Sequence, residues 1–403
     1  MAREEIIEKH KKKYPVWLGS DGRWKTRVPD KSHKYGKLVA KKEEGDLLDA
    51  IVYQYEDVLA TNTLEKMFPE WISYKALETT PANAHKISWA WERYYEGDPI
   101  SKRKVSDLKT IEIKKWFITK IEEFGMTKRQ YKDMKTVLNG LLDYAIELEL
   151  IRTNPARNVR NIGSKHFAIE QRKTASQQVY MVDEHRTLEN LCEEMFTHTN
   201  NSAYLAVAMN FYLGLRVGEL VALKEKDFGD LFVHIEREEV KAYQEQKDGK
   251  FTRNGYEVAP YTKTPDSVRD IPLTSKAREY VSRIKEWKRE NGFDSEYLLV
   301  NKFNGRRMHN DGINNVLRRM NRMLDTSQKG NHSIRKTYLS TLDAFSDLSD
   351  EEIRTVAGHK YISTTQNSYL FSTRRPEKRI ISFEKALGSS LDKGNCAEAK
   401  RGS

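Results

Sequence analysis

The sequence predicts a multidomain, mainly α-helical chain with small β-sheets, ordered as a basic sheet-and-helix module, a helical bundle and an α+β domain. Three observations predict it. At 403 residues the chain exceeds what one hydrophobic core usually organises. Helical periodicity runs through residues 63–160. After a polar stretch, the pattern changes to helices alternating with short strands.

The first module is residues 1–62. Residues 1–44 hold thirteen Lys or Arg against seven acidic residues, including Lys11-Lys12-Lys13 and Lys41-Lys42. Val16-Trp17-Leu18 and Arg23-Trp24-Lys25-Thr26-Arg27-Val28 read as strands around the turn Gly19-Ser20-Asp21-Gly22. A third strand follows at Lys37-Leu38-Val39, then a helix over 46–59. Strand alternation lays Arg23, Lys25 and Arg27 along one face, as a β-ribbon entering a DNA major groove requires. A solvated basic sheet with its aromatics packed beneath satisfies the same pattern.

Residues 63–165 read as a bundle with helices over 64–72, 84–96, 110–124 and 128–148. In the last, Met134, Val137, Leu138, Leu141, Leu142 and Ala145 recur at helical spacing and define a buried face. Lys128, Arg129 and Lys132 at its start are candidate phosphate contacts, with a solvated helix face as the alternative. Asn154-Pro155 ends the bundle, because proline disfavours helical geometry in its predecessor. A polar linker is placed at 166–177.

The third domain is set at 178–387. Helices are expected over 188–197, 203–213, 277–290 and 310–324, with strands over 231–240 and 269–272. Residues 388–403, rich in Gly, Ser, Lys and Asp, read as a disordered tail. Ile380, Ile381, Phe383 and Leu387 suggest a short amphipathic helix over 379–387, which either packs on its own domain or docks on a second copy.

The bulk chemistry narrows the function. A net charge of +11 favours a polyanionic partner. No apolar run approaches the roughly 20 residues of a membrane span, and the N-terminus lacks a signal-peptide core, so a cytoplasmic protein is expected. Cys192 and Cys396 are too few for a disulfide framework or a zinc ligand set, so reduced thiols and no metal are expected.

Four short segments carry chemistry: Gly214-Leu215-Arg216-Val217-Gly218-Glu219-Leu220, Thr262-Lys263-Thr264, His332-Ser333-Ile334-Arg335, and Gly358-His359 followed ten residues on by Tyr369. Each alone has an ordinary structural explanation; a lone His-x-x-Arg, for example, is usually a surface pair on one helix face. In this order, within one 160-residue span of a basic chain, they resemble the boxes of the tyrosine recombinases, the family of phage and conjugative-transposon integrases. The departures are small. Leu213 stands where Thr is common, Lys336 where a second His often follows, and Leu370-Phe371 where a His often trails the tyrosine.

The resemblance implies a catalytic domain in which Arg216, Lys263, His332, Arg335, His359 and Tyr369 act together. Lys263 is the least distinctive, since Lys241, Lys247 and Lys250 lie close by in sequence. It also implies an arm-type DNA-binding domain at 1–62 and a core-binding domain at 63–165, the latter closing a clamp on duplex DNA with the catalytic domain. A homotetramer on core and arm sites is implied, assisted by an excisionase and a host DNA-bending protein. The implied activity is integration and excision of a mobile element without cofactor or metal.

The residue types suit that chemistry. Attack on a phosphodiester piles charge onto non-bridging oxygens, where guanidinium donors are worth most. A phenol of pKa about 10 needs a base, which His332 can supply. Lys263 would protonate the departing 5′ oxygen, and His359 would hydrogen-bond the phosphate. Because the phosphotyrosyl bond stores the energy of the broken linkage, rejoining needs no ATP. Two rivals share these residues: a type IB topoisomerase without site choice, and a DNA-binding regulator with an idle catalytic fold. A membrane-surface protein is disfavoured by the lack of a strong basic amphipathic helix.

Overall fold

The computed structural model describes residues 3–29, 36–60, 62–170, 173–246, 250–260, 268–361, 363 and 371. Two compact units result: 1–170 with Tyr243–Asn254, and 171–242 with 255–403.

The first unit opens with α1 (Arg3–Lys13), followed by β1 (Val16–Leu18), β2 (Trp24–Val28) and β3 (Lys37–Lys41) in one antiparallel sheet of order β1-β2-β3, then α2 (Glu44–Ala60). Helix α1 lies outside the sequence expectations, since its residues are mostly charged. It is held by burial of Ile6 and by His10, whose ring lies 2.7 Å from the Thr26 hydroxyl on β2. Strand alternation sends Thr26 and Val28 inward. Register places Trp17 beside Lys25 and Ala40, and Arg27 beside Leu38, so these residues share the opposite face.

The bundle comprises α3 (Leu64–Glu78), α4 (Pro81–Tyr94), α5 (Thr110–Glu123) and α6 (Lys128–Glu147). A capping box starts α6: Thr127 N–H donates to Gln130 Oε1 at 2.8 Å, and Gln130 N–H donates back to the Thr127 hydroxyl at 3.4 Å. The expected face of α6 is buried, joined by Tyr144. Phe68 and Trp91 stack at 4.3 Å between ring centroids in the same core.

The second unit holds α7 (Ala175–Gln178), α8 (Val182–Thr199), α9 (Ala203–Leu213), α10 (Val217–Val221), β4 (Phe232–Ile235), β5 (Glu238–Glu245), β6 (Phe251–Ala259), β7 (Arg269–Pro272), α11 (Ser275–Glu290), α12 (Asn310–Met323), α13 (Asn331–Phe345) and α14 (Asp350–Ala357). Helix α9 is apolar almost all round, as a central helix must be, and packs against α8, α11, α12 and α13. The expected strand at 231–240 is two strands: β4 pairs with β7, and β5 with β6. The tip of the β5–β6 hairpin counts with the first unit, where Phe251 is buried and its carbonyl accepts from His85 Nδ1 at 2.5 Å.

No described helix is long and apolar enough to cross a membrane. The expected tail at 388–403 and the helix over 379–387 lie outside the described residues.

Candidate active site

Four of the expected side chains gather in the second unit. Arg216 is the N-cap of α10, in extended geometry immediately after the turn that ends α9. That turn depends on Gly214, which adopts φ +61° and whose Cα faces the Tyr338 ring so closely that a Cβ would lie 2.2 Å from Cδ1. The Leu215 peptide next to Arg216 is clamped on both sides. Its N–H donates to Asn210 Oδ1 at 2.8 Å, and its carbonyl accepts from Asn210 Nδ2 at 3.0 Å and Asn331 Nδ2 at 2.9 Å.

Helix α13 starts at Asn331 and presents His332 and Arg335 one turn apart. Arg335 is 1% exposed; its Nη1 donates to the Gly214 carbonyl at 2.9 Å and its Nη2 to the Ala357 carbonyl. Helix α14, capped at Ser349, ends on Gly358 at φ +59°, and the left-handed turn delivers His359 to the cluster. Arg335 Nη2 lies 3.5 Å from His359 Nε2. A guanidinium has only donors, so this ring nitrogen accepts.

Glu219 is the centre of charge. Its carboxylate is 1% exposed and accepts from Arg216 Nη1 at 2.7 Å, Arg269 Nη1 at 3.1 Å and Arg269 Nη2 at 2.9 Å. Burial alone would raise its pKa, but Arg269 first, then Arg335 and Arg216, hold it down at about 2. Three guanidiniums thus surround one carboxylate, leaving a surplus of two positive charges. Such a surplus is suited to a phosphodiester anion.

Both histidines are neutral at pH 7. Burial, then the charges of Arg335, Arg216 and Arg269 and the neighbouring His332, push His359 down to about 3. His332 has an exposed outer edge, yet desolvation of the rest of its ring, with Lys336, Arg335 and Arg216, lowers it to about 4. A neutral imidazole has a lone pair to take a proton.

Lys263 and Tyr369 lie outside the described residues. The chain is described again at Phe371, two residues past Tyr369, where its N–H donates to the Ser340 hydroxyl of α13 at 2.9 Å. Lys336 lies over the Phe371 ring at 4.7 Å.

The other expected contacts belong to the first unit. Arg23 is exposed; Lys25 pairs with Asp21 at 2.9 Å, and Arg27 donates to the Gly36 carbonyl at 3.1 Å. Lys128, Arg129 and Lys132 are exposed on the first turns of α6. Arg129 and Lys132 line a cleft against α4 that includes Asn83 and Lys86.

Sequence reasoning missed Arg269, Asn210 and Asn331. Arg269 was read only as a strand residue, and no local pattern marks the two asparagines. Among the described residues, no cluster of His, Cys, Asp and Glu is placed to hold a metal ion.

Likeness to known proteins marks the chain as a tyrosine recombinase, an enzyme that breaks and rejoins DNA. Residues 182–375 match the phage integrase family. The chain is 24% identical over 363 residues to the prophage ps2 probable integrase of Lactococcus lactis subsp. lactis (strain IL1403), covering 85% of this chain and 88% of that one. Its fold is similar to the Tn1549 transposon integrase in complex with transposon right end DNA, with a TM-score of 0.59 and 16% identity over 81% of this chain and 99% of that one. It is also similar to the lambda integrase tetramer bound to a Holliday junction, with a TM-score of 0.55 and 15% identity over 89% and 95% of the two chains.

Proposed function

We propose that Arg216 and Arg335 grip the scissile phosphate while Tyr369 attacks it, forming a 3′-phosphotyrosyl bond and releasing a 5′ hydroxyl. His332 takes the phenolic proton, Lys263 gives a proton to the departing 5′ oxygen, and His359 hydrogen-bonds the phosphate. Attack by a 5′ hydroxyl of another strand reverses the step and restores the phenol. Four such cuts recombine two duplexes, which calls for four protomers.

One observation carries this reading: the buried Glu219 carboxylate holds Arg216 and Arg269 and lies 3.9 Å from Arg335. The arginines are thereby preorganised before any anion arrives, and a preorganised donor costs no rearrangement in the transition state.

In the same reading, residues 1–62 bind arm sites through the face of Lys25 and Arg27, with Arg23 at its edge. Residues 63–165 bind the core site through Lys128, Arg129 and Lys132. Residues 166–177 link them to the catalytic domain of 178–387. An excisionase and a host DNA-bending protein would set the direction of reaction, and the reaction belongs in the cytoplasm.

The test is covalent trapping on duplexes taken from the DNA flanking the reading frame. The unaltered chain should give an adduct that survives denaturing gels, and Tyr369→Phe should abolish it while binding persists. An adduct with Tyr369→Phe refutes the nucleophile assignment.

A further inference from the structure

We propose that Arg269 is a positioning residue for DNA cleavage, fixing Arg216 through Glu219 and, with the same guanidinium, the end of the helix that delivers His359. This rests on the recombinase reading above.

The geometry is specific. Arg269 stands at the start of β7, and its side chain is only 2% exposed. It therefore cannot reach DNA and must act through other residues. Nη1 and Nη2 bind the Glu219 carboxylate end-on at 3.1 and 2.9 Å, and Nε donates to the Val356 carbonyl at 2.7 Å. Val356 lies in the last turn of α14, three residues before His359. One planar side chain thus ties together α10, which begins at Arg216, and α14, which ends at His359.

Charge explains why the tie matters. The buried Glu219 faces two catalytic guanidiniums, Arg216 Nη1 at 2.7 Å and Arg335 Nη1 at 3.9 Å. Left to those two, the carboxylate would draw both forks inward and compete with a phosphate for them. Arg269 occupies both carboxylate oxygens by a bidentate pairing, which lysine cannot reproduce. Arg216 then gives Glu219 only one guanidinium nitrogen, beside its backbone N–H at 2.9 Å.

The groups facing Glu219 are Arg216 at the start of α10, Arg269 on β7 and Arg335 on α13, and the half-buried Tyr338 lies beside the last two. Removing Arg269 takes away the strongest influence that keeps this carboxyl ionised. Its pKa then rises toward the working range. Because the ionised form orients Arg216, cleavage should acquire a new acid limb and fall as pH drops. His332 titrates in both proteins, and the ratio of variant to unaltered rate at each pH removes it; His359 loses one of the charges that lower it together with Glu219, and Arg269→Lys returns that charge to both.

The experiment uses the full chain and the flanking-DNA duplexes on which it forms its adduct. Arg269→Gln should slow adduct formation on the order of 10²-fold, the scale of a small misplacement of reacting groups, with DNA binding retained. The rate ratio should worsen steadily toward low pH. Arg269→Lys, which keeps the charge and fills the site if the first variant unfolds, should recover part of the rate and lose the acid limb. Two results overturn the proposal: either variant cleaving at the unaltered rate, or a slow rate with a pH-independent ratio, which marks simple loss of packing. Absence of adduct with the unaltered chain instead overturns the recombinase reading and this proposal with it.

Discussion

Asn331 accepts a hydrogen bond from Asn210 Nδ2 at 3.0 Å, and each donates from Nδ2 to the same carbonyl, that of Leu215. Asn210 is on α9 and Asn331 begins α13, so the pair ties the loop of Arg216 to the helix of His332 and Arg335. Every polar atom involved is buried, so breaking the pair leaves a donor or acceptor unsatisfied. Asn331→Ala should cost about 1–3 kcal/mol of stability in urea unfolding. Adduct formation should fall further than that loss explains at temperatures where the variant is fully folded. A variant of unaltered stability and rate would show that the clamp does not hold the two arginines together.

Gly214 offers a second check on that loop. Its φ of +61° lies in the left-handed region, and the Tyr338 ring occupies the space a side chain needs. Gly214→Ala should destabilise by about 1–2 kcal/mol for the backbone alone, with more from the clash. Tyr338→Ala beside it should restore only the steric share, because the backbone cost remains. Full recovery in the double variant, measured by urea unfolding, would deny any role to the backbone conformation.

Much of this was legible in the sequence because it is local. The α6 face, the span of α9, strand β7 and the spacing of Arg216, His332, Arg335 and His359 all follow from short-range periodicity or motif order. What was illegible depends on distant partners. Helix α1 reads as a charged run until His10 meets Thr26, sixteen residues away. Arg269 looks like any strand arginine until folding brings Glu219, fifty residues earlier, and Val356 to its guanidinium. The strand expected over 231–240 breaks at Glu236 and Arg237, where the chain leaves the β7 partnership for β6. Burial of Arg237 against Asp227 at 2.5 Å accompanies that break.

The depressed histidines make stability depend on acid. His359 at about 3 and His332 at about 4 stay neutral in the folded chain, whereas the unfolded chain titrates them near 6.5. Below about pH 6.5 the unfolded state therefore binds more protons, and stability should fall as pH drops toward 4. The slope is at most about 1.4 kcal/mol per pH unit for each histidine, less for solvent-exposed His332. His10 and His185, also lowered by burial, add to the same limb. The difference between the unaltered chain and His359→Asn isolates one contribution: the variant's stability should decline less steeply from pH 6.5 to 4. Parallel curves would mean that His359 charges freely in the folded state.

The cleft between α4 and α6 makes a prediction that separates affinity from site choice. Arg129 and Lys132 are exposed there without a described carboxylate partner, whereas Lys86 is paired with Asp133 at 2.6 Å. Neutralising a phosphate contact removes a released counterion, so each lost contact lowers the slope of log affinity against log salt by about 0.9 on duplex DNA. Arg129→Ala and Lys132→Ala should each reduce the slope by roughly that amount, and together by roughly twice it. The preferred sequence should stay the same, because phosphate contacts carry no base information. Binding measured from low to moderate salt decides the matter. An unchanged slope in the double variant would remove this face from the DNA, and a changed sequence preference would mean that these side chains reach base edges.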